Sequence, residues 1–298
     1  MKTNEVNIRD PYVLVHEGKY YLYGTRSATC WGPADGFDCY VSSDLENWDG
    51  PIEIFHRPEG FFADREYWAP ECIYYSDGFY LITTFGKEGM KKGIYVLKAD
   101  SPTGPFEVYS DRLTREDWTC IDGTVYFEND TPYLIFSHSF EDTPDGDMCI
   151  VKLSKDLKRA DGETAVLFSA GEAKWAKPIP FAKAEFGMDG DVYFTDGPGI
   201  VDIGDGKLYM TWSSWGSCGY AVGVAVSENG NVKGPWKQID TPIYPNNGGH
   251  GMMFRDLQGN LKFSLHFPND KYKERPIFMD AIAGAEGLTL DIKQNQMR

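Results

Sequence analysis

Five short stretches of this 298-residue chain put a side chain that can carry a proton at the head of an apolar run. They are "RDPYVL" with Asp10, "WAPE" with Glu71, "IDGTVYFE" with Asp122, "DGPGI" with Asp196 and "GHGMMF" with His250. Carboxyl groups brought close together raise each other's pKa, so one can stay protonated while another is ionised. A protonated and an ionised carboxyl facing one reacting centre are the equipment of acid–base hydrolysis. A single Asp before Gly or Pro is more often a plain turn residue. Such "DG" pairs recur at Asp35, Asp77 and Asp205. The case therefore rests on the five side chains holding equivalent places in a repeat.

The repeat is an apolar strand, a Gly-containing turn and a Tyr-rich strand. It reads "RDPYVLVHEGKYYLYGT" from Arg9 and "APECIYYSDGFYLITTF" from Ala69. It returns from Ile121, Thr195 and Gly249. The turns "EGK", "SDG", "GDGK" and "QGN" are hairpin signals. A second hairpin follows each first one, closing on "SDLENW", "SPTGPF", "SKDLK" and "SENGNVKGPW". Four strands per unit, with units about 50 to 75 residues apart, are the period of propeller blades. The fold class is thus all-β, a single five-bladed β-propeller over residues 1–298 with four antiparallel strands per blade. The stretch Glu5 to Ile8 is expected to complete the last blade and close the ring. Ala170 to Asp191, the longest insertion, is expected to lie over one end. Inner strands line the central channel, so residues opening them meet at one channel mouth.

Composition narrows the partners. The formal net charge of −16 leaves no positive surface for nucleic acid,, and disfavours anionic membranes. No run reaches transmembrane length. The first nine residues lack the apolar core of a signal peptide, so a cytoplasmic location is expected. Cys30, Cys39, Cys72, Cys120, Cys149 and Cys218 form no CxxC pair and read as buried free thiols,. Aromatic residues make up 15% of the chain. Most belong in sheet cores, and the rest suit the faces of sugars. Rim and strand-end positions single out Trp31, Trp68, His138, Phe140 and Trp215 as candidate sugar contacts.

Taken in order, the five motifs resemble the family 43 glycoside hydrolases, which include β-xylosidases, α-L-arabinofuranosidases and arabinanases. The resemblance covers essentially the whole chain. It implies an inverting glycosidase with Asp10 as general base, Asp122 as the modulator that tunes the acid, and Asp196 as general acid. The family motif has Glu before "GP". Asp196 is one methylene shorter, and Glu185 and Glu71 are the alternatives for its role. Inversion needs room for a water, which sets base and acid about 6.5–9.5 Å apart. The resemblance further implies that Arg275 binds sugar hydroxyls and that His250 faces the channel, where relatives hold a hydrated metal, often calcium. No cofactor is required for the reaction. The expected partner is a small pentose-containing oligosaccharide, cut exo-wise, and the sequence does not specify an oligomeric state. A catalytically weakened, sugar-binding propeller is the second reading. A protein-docking propeller ranks below both, because the "GH…WD" signature is absent.

Overall fold

Each repeat folds as one four-stranded antiparallel sheet in the computed structural model, which describes residues 1–284 and 287–292. The first blade holds β1 (Ile8–His16), β2 (Lys19–Arg26), β3 (Gly36–Ser42) and β4 (Asp49–His56). The second holds β5 (Arg65–Tyr75), β6 (Gly78–Lys87), β7 (Met90–Ala99) and β8 (Glu107–Val108). The third holds β9 (Cys120–Glu128), β10 (Thr131–His138), β11 (Asp147–Lys152) and β12 (Ala165–Ser169). The fourth holds β13 (Asp196–Val201), β14 (Leu208–Gly216), β15 (Gly219–Ser227) and β16 (Trp236–Gln238). The fifth holds β17 (Gly249–Arg255), β18 (Leu261–Phe267), β19 (Arg275–Gly284) and β20 (Gly287–Leu290). The strands run in chain order from inside to outside in every blade. The five-bladed propeller read from the repeats is the fold.

Alternating side chains of each sheet face the two neighbouring blades, so the apolar core is divided into layers between blades. Tyr21, Tyr23 and Phe37 meet Phe79 and Leu81 between the first two blades. Ile82 and Val96 meet Leu134 and Phe136 between the next two. Val6, Ile8, Leu22 and Trp48 meet Phe254 where the last blade returns to the first. Five cysteines are buried free thiols as expected, but Cys218 is exposed, because it lies in the turn between β14 and β15.

The ring closes differently from the sequence expectation. Thr3–Glu5 is a turn of 3-10 helix and Ile8 opens the first blade, while the last blade supplies its own outer strand, β20. The N-terminal segment adds no strand and bridges the seam, with Thr3 N–H to Glu46 O and Trp48 Nε1–H to Thr3 Oγ1 on the first blade and Arg275 Nε–H to Asn4 O from the last. Closure then runs through polar contacts across the seam. Asn7 donates to Glu274 O at 2.8 Å, Arg9 to the Glu274 carboxylate at 2.9 Å, and Ser264 to Pro11 O at 2.7 Å.

One local device repeats in all five inner strands and positions the site. A β-bulge interrupts the pairing just after Arg9, Trp68, Ile121, Asp196 and Gly249, which pair with Thr25, Thr84, Ser137, Ser213 and His266 of the second strands. The first bulged residue is left-handed every time: Asp10 (φ 54°), Ala69 (45°), Asp122 (58°), Gly197 (52°) and His250 (49°). Asp and His tolerate this region better than most residues. At Gly197 a Cβ would also lie 2.9 Å from the His250 backbone, so only glycine fits.

This register corrects the sequence alignment of the repeats. Glu71 and Asp196 are not equivalents of Asp10 and Asp122. The second blade places Ala69 at that position, and the fourth places Gly197. Ala69 is the only residue of the five without a polar side chain or glycine's freedom. The left-handed region costs a residue with a Cβ about 1–2 kcal/mol, part of which glycine returns through its looser unfolded chain. Ala69→Gly is therefore expected to stabilise the fold by about 0.5–1 kcal/mol, read as a higher urea midpoint with an unchanged slope.

Candidate active site

The bulges turn the inner-strand heads toward one mouth of the channel, where they floor a cavity of about 800 Å³. Asp10, Asp122, Asp196 and His250 all line it. Three of the bulge N–H groups donate to a hydroxyl of the preceding blade. Ala69 reaches Thr25 Oγ1 at 2.8 Å, Asp122 reaches Thr84 Oγ1 at 3.0 Å and His250 reaches Ser213 Oγ at 2.8 Å. Across the seam, Asp10 N–H donates to His266 Nδ1 at 3.2 Å. The fourth blade departs from the pattern: Gly197 N–H serves the Asp122 carboxylate instead.

The three carboxyls differ in their surroundings. Burial alone would raise Asp10, but the His250 imidazole at 3.3 Å and Arg9 at 4.0 Å outweigh it. A 2.6 Å bond from Thr25 Oγ1 adds to their effect, and Asp10 is held below the usual aspartate range. Asp122 is raised to about 7, by burial first and then by the charges of Asp196 and Asp10, against the pull of His250 and Gly197 N–H. Asp196 is raised furthest, to about 8, by burial and then by Asp10, although a hydrogen bond from Tyr220 opposes the shift. The surroundings thus favour the ionised form of Asp10 and the protonated form of Asp196 at neutral pH. Two carboxyls pushed apart in this way are equipped for the base and acid roles respectively.

Among the described residues, Asp122, Asp196 and His250 form a group whose possible ligand atoms all lie within 4.8 Å of one another. The group offers two carboxyls and one imidazole, whereas calcium takes six to eight oxygens. This donor set fits direct ligation of calcium poorly.

The candidate sugar contacts divide into two sets. Trp31, Trp68, Phe140 and Trp215 line the cavity. Trp31, half exposed on the rim, meets Trp68 edge to face at 5.8 Å, with Arg9 and Lys271 over its ring at 5.2 and 5.4 Å. The Ala170–Asp191 insertion does lie over the mouth. It carries the short helix Ala182–Phe186 and adds Ile179, Phe181, Glu185 and Phe186 to the wall. Phe181 meets Trp215 edge to face at 5.3 Å.

Glu71, His138 and Arg275 lie outside the cavity. Glu71 is buried two residues beyond the bulge, with Oε2 unpaired. His138 stacks on Trp118 at 4.0 Å and 6°. Arg275 spends its guanidinium on the carbonyls of Asn4 and Glu274, at the seam. Of the alternatives for the acid, Glu185 sits exposed on the wall and Glu71 lies outside the cavity, which leaves half-buried Asp196 as the candidate on the floor.

Four residues of the site escaped the sequence reading. Arg9, inside the first motif, is held by Glu274. Glu274, wholly buried, also accepts from Ser27 at 2.7 Å. His266, inside the fifth repeat, gave a weak signal as a histidine in an apolar run. Tyr220 gave none, since it sits on a third strand.

Residues 4–277 match the family model described as Glycosyl hydrolases family 43. An endo-arabinase from Bacteroides thetaiotaomicron is 34% identical, with a TM-score of 0.86 over 96% of this chain and 98% of that one. An endo-1,4-beta-xylanase from the same organism shares the fold at 24% identity and TM-score 0.76, over 97% and 96% of the two chains. An alpha-L-arabinofuranosidase from Lactobacillus brevis shares it at 16% and 0.74, over 98% and 97%. The comparison with curated proteins finds no match. No helix among the described residues is long and apolar enough to cross a membrane.

Glu71 supplies a test of the electrostatics that is independent of the cavity. Burial lifts it from 4.5 to about 8 in the folded chain. A raised carboxyl favours folding fully below its unfolded pKa and loses that contribution as pH climbs through the folded value. Glu71→Gln removes the penalty that the parent carries at high pH. The variant is expected to match the parent near pH 4.5 and to exceed it at pH 8 by at least about 1.4 kcal/mol, the equivalent of one pKa unit. Thermal unfolding at both pH values reads this.

Proposed function

We propose the reaction from one premise: the chain belongs to glycosyl hydrolases family 43. The protein hydrolyses a glycosidic bond in pentose-containing oligosaccharides, with inversion at the anomeric carbon. The observation that carries this reading is the divergence of the carboxyls, Asp10 lowered and Asp196 raised to about 8 in one buried floor. Ionised Asp10 takes a proton from the attacking water as its oxygen bonds to the anomeric carbon. Asp196 gives its proton to the leaving oxygen as the old bond breaks. Asp122, beside Gly197 N–H and within 4.8 Å of Asp196 and His250, is the modulator of the acid. Trp31, Trp68, Phe140 and Trp215 supply flat apolar surface for the sugar faces.

The raised Asp196 favours catalysis over a weakened, purely sugar-binding propeller, because the short acid sits where its proton is held at neutral pH. The 34% identical endo-arabinase favours an arabinan-type substrate over a xylan-type one. That neighbour also favours internal cutting as a second reading beside the exo action expected from the sequence. A calcium ion is proposed only as a hydrated ion beside His250, and no step runs through it.

Aryl α-L-arabinofuranosides, aryl β-xylosides and linear arabino- and xylo-oligosaccharides test the substrate. Release of single pentoses from one end supports exo action, whereas mixed oligomers from the start support the internal cut. Proton NMR of the first product is expected to show the inverted anomer, and retention would overturn the mechanism. Asp10→Asn and Asp196→Asn are each expected to lower kcat/KM by about 10²–10⁴-fold. The pH profile of kcat/KM should be bell-shaped. Its alkaline limb lies near 8, where Asp196 loses its proton, and its acid limb below 3.8, where Asp10 gains one.

A further inference from the structure

The fifth blade breaks the repeating pattern in two places, and both breaks serve one residue of the fourth. In the other blades the residue before the bulge is Arg9, Trp68, Ile121 or Asp196, and each of these lines the cavity. The fifth blade has Gly249 there. A Cβ on Gly249 would lie 2.4 Å from the ring of Tyr220, so the missing side chain is what admits that ring. The second break is opposite the bulge. Four blades place Thr25, Thr84, Ser137 or Ser213 on the second strand, and the fifth places His266. A hydroxyl would suffice to accept an N–H. The larger imidazole does so for Asp10 and also stacks on Tyr220, at 5.5 Å and 20°.

Tyr220 itself is buried on β15. Its ring also stacks on Phe194 at 5.8 Å and 20°, and its hydroxyl donates to Asp196 Oδ1. A hydrogen bond received at Oδ1 leaves Oδ2 as the oxygen that carries the carboxylic proton. His266 is fixed as well: Nδ1 accepts from Asp10 N–H, so Nε2 holds the hydrogen and donates to Asn269 Oδ1 at 3.2 Å. The rings of Phe194, Tyr220 and His266 thus form one stack between the strand of the acid and the backbone of the base.

We propose that Tyr220, seated by Gly249 and His266, is a positioning residue that fixes which oxygen of Asp196 delivers the proton and holds that oxygen in register with Asp10. The inference rests on Asp196 acting as general acid. It accounts for a working acid one methylene shorter than the family's glutamate, since a bond from a rigid phenol orients the short side chain.

Tyr220→Phe keeps the ring and removes the hydroxyl. A misplaced acid harms substrates that need protonation of the leaving oxygen and spares those that leave unaided. The test compares phenyl and 2,4-dinitrophenyl glycosides of a sugar the parent accepts. Tyr220→Phe is expected to lower kcat on the phenyl glycoside by about ten- to a hundredfold, with KM and the dinitrophenyl rate nearly unchanged. Gly249→Ala displaces the ring, and His266→Ser restores the hydroxyl that the other blades use. Both are expected to show the same leaving-group dependence, with circular dichroism matching the parent. Equal loss on both substrates, or no loss, in a folded Tyr220→Phe overturns the proposal. If that variant does not fold, the same comparison on His266→Ser decides. A parent that cleaves no glycoside overturns the glycosidase reading itself, an outcome distinct from a parent that cleaves both and a variant that does not discriminate.

Discussion

The site depends on one backbone arrangement, a left-handed bulge at the head of each inner strand whose N–H is taken up outside its own sheet. A bulge leaves a residue without ladder partners, and an unpaired buried N–H costs about as much as a lost hydrogen bond. Thr25, Thr84 and Ser213 meet that need from the neighbouring blade, and His266 does so across the seam. The same bonds lock each blade to the next at the channel mouth. A device that satisfies the backbone therefore also sets where Asp10, Asp122 and His250 stand. The floor of the cavity and the ring of blades are held by the same contacts.

The exception in the fourth blade has a chemical consequence. Gly197 N–H turns to the Asp122 carboxylate, and Asp196 occupies the position before the bulge, where other blades present Arg9, Trp68 and Ile121 to the cavity. The proposed base and acid thus stand at different places in their repeats. Asp10 sits on the bulge, beside Arg9 and His250, and is stabilised as an anion. Asp196 projects from the strand into a buried space whose nearest hydrogen-bonding partner is a phenol, and is stabilised as an acid. Burial pushes both carboxyls the same way, so the neighbouring charges and donors decide which of them ionises.

Much of the architecture was legible because propeller blades repeat short-range signals. Gly turns between alternating strands mark hairpins, and five copies count the blades. The five motifs even begin at equivalent positions, since Arg9, Trp68, Ile121, Asp196 and Gly249 all precede a bulge. The equivalence of the acids within them was misread. Aligning by charge matched Glu71 and Asp196 to Asp10, whereas backbone geometry matches Ala69 and Gly197. Charge is a property of the side chain, and the register of a bulge is a property of the strand pair. Ring closure failed for a related reason: an N-terminal segment can add a strand to the last blade or bridge the seam, and the choice lies with contacts such as Trp48 to Thr3.

The sequence by itself determined the blade count, the strand order and the three candidate aspartates, because each is encoded within one repeat. Only the tertiary structure decided what surrounds them. Glu274 holding Arg9, His266 under Asp10 and Tyr220 on Asp196 join residues 265, 256 and 24 positions apart. It also removed Glu71, His138 and Arg275 from the cavity, although each is a plausible sugar contact by type. Proton affinity depends on burial and on neighbours within a few ångströms, and those neighbours come from other blades. The types of the acids are written in the chain, and their unequal proton affinities arise only when the ring closes.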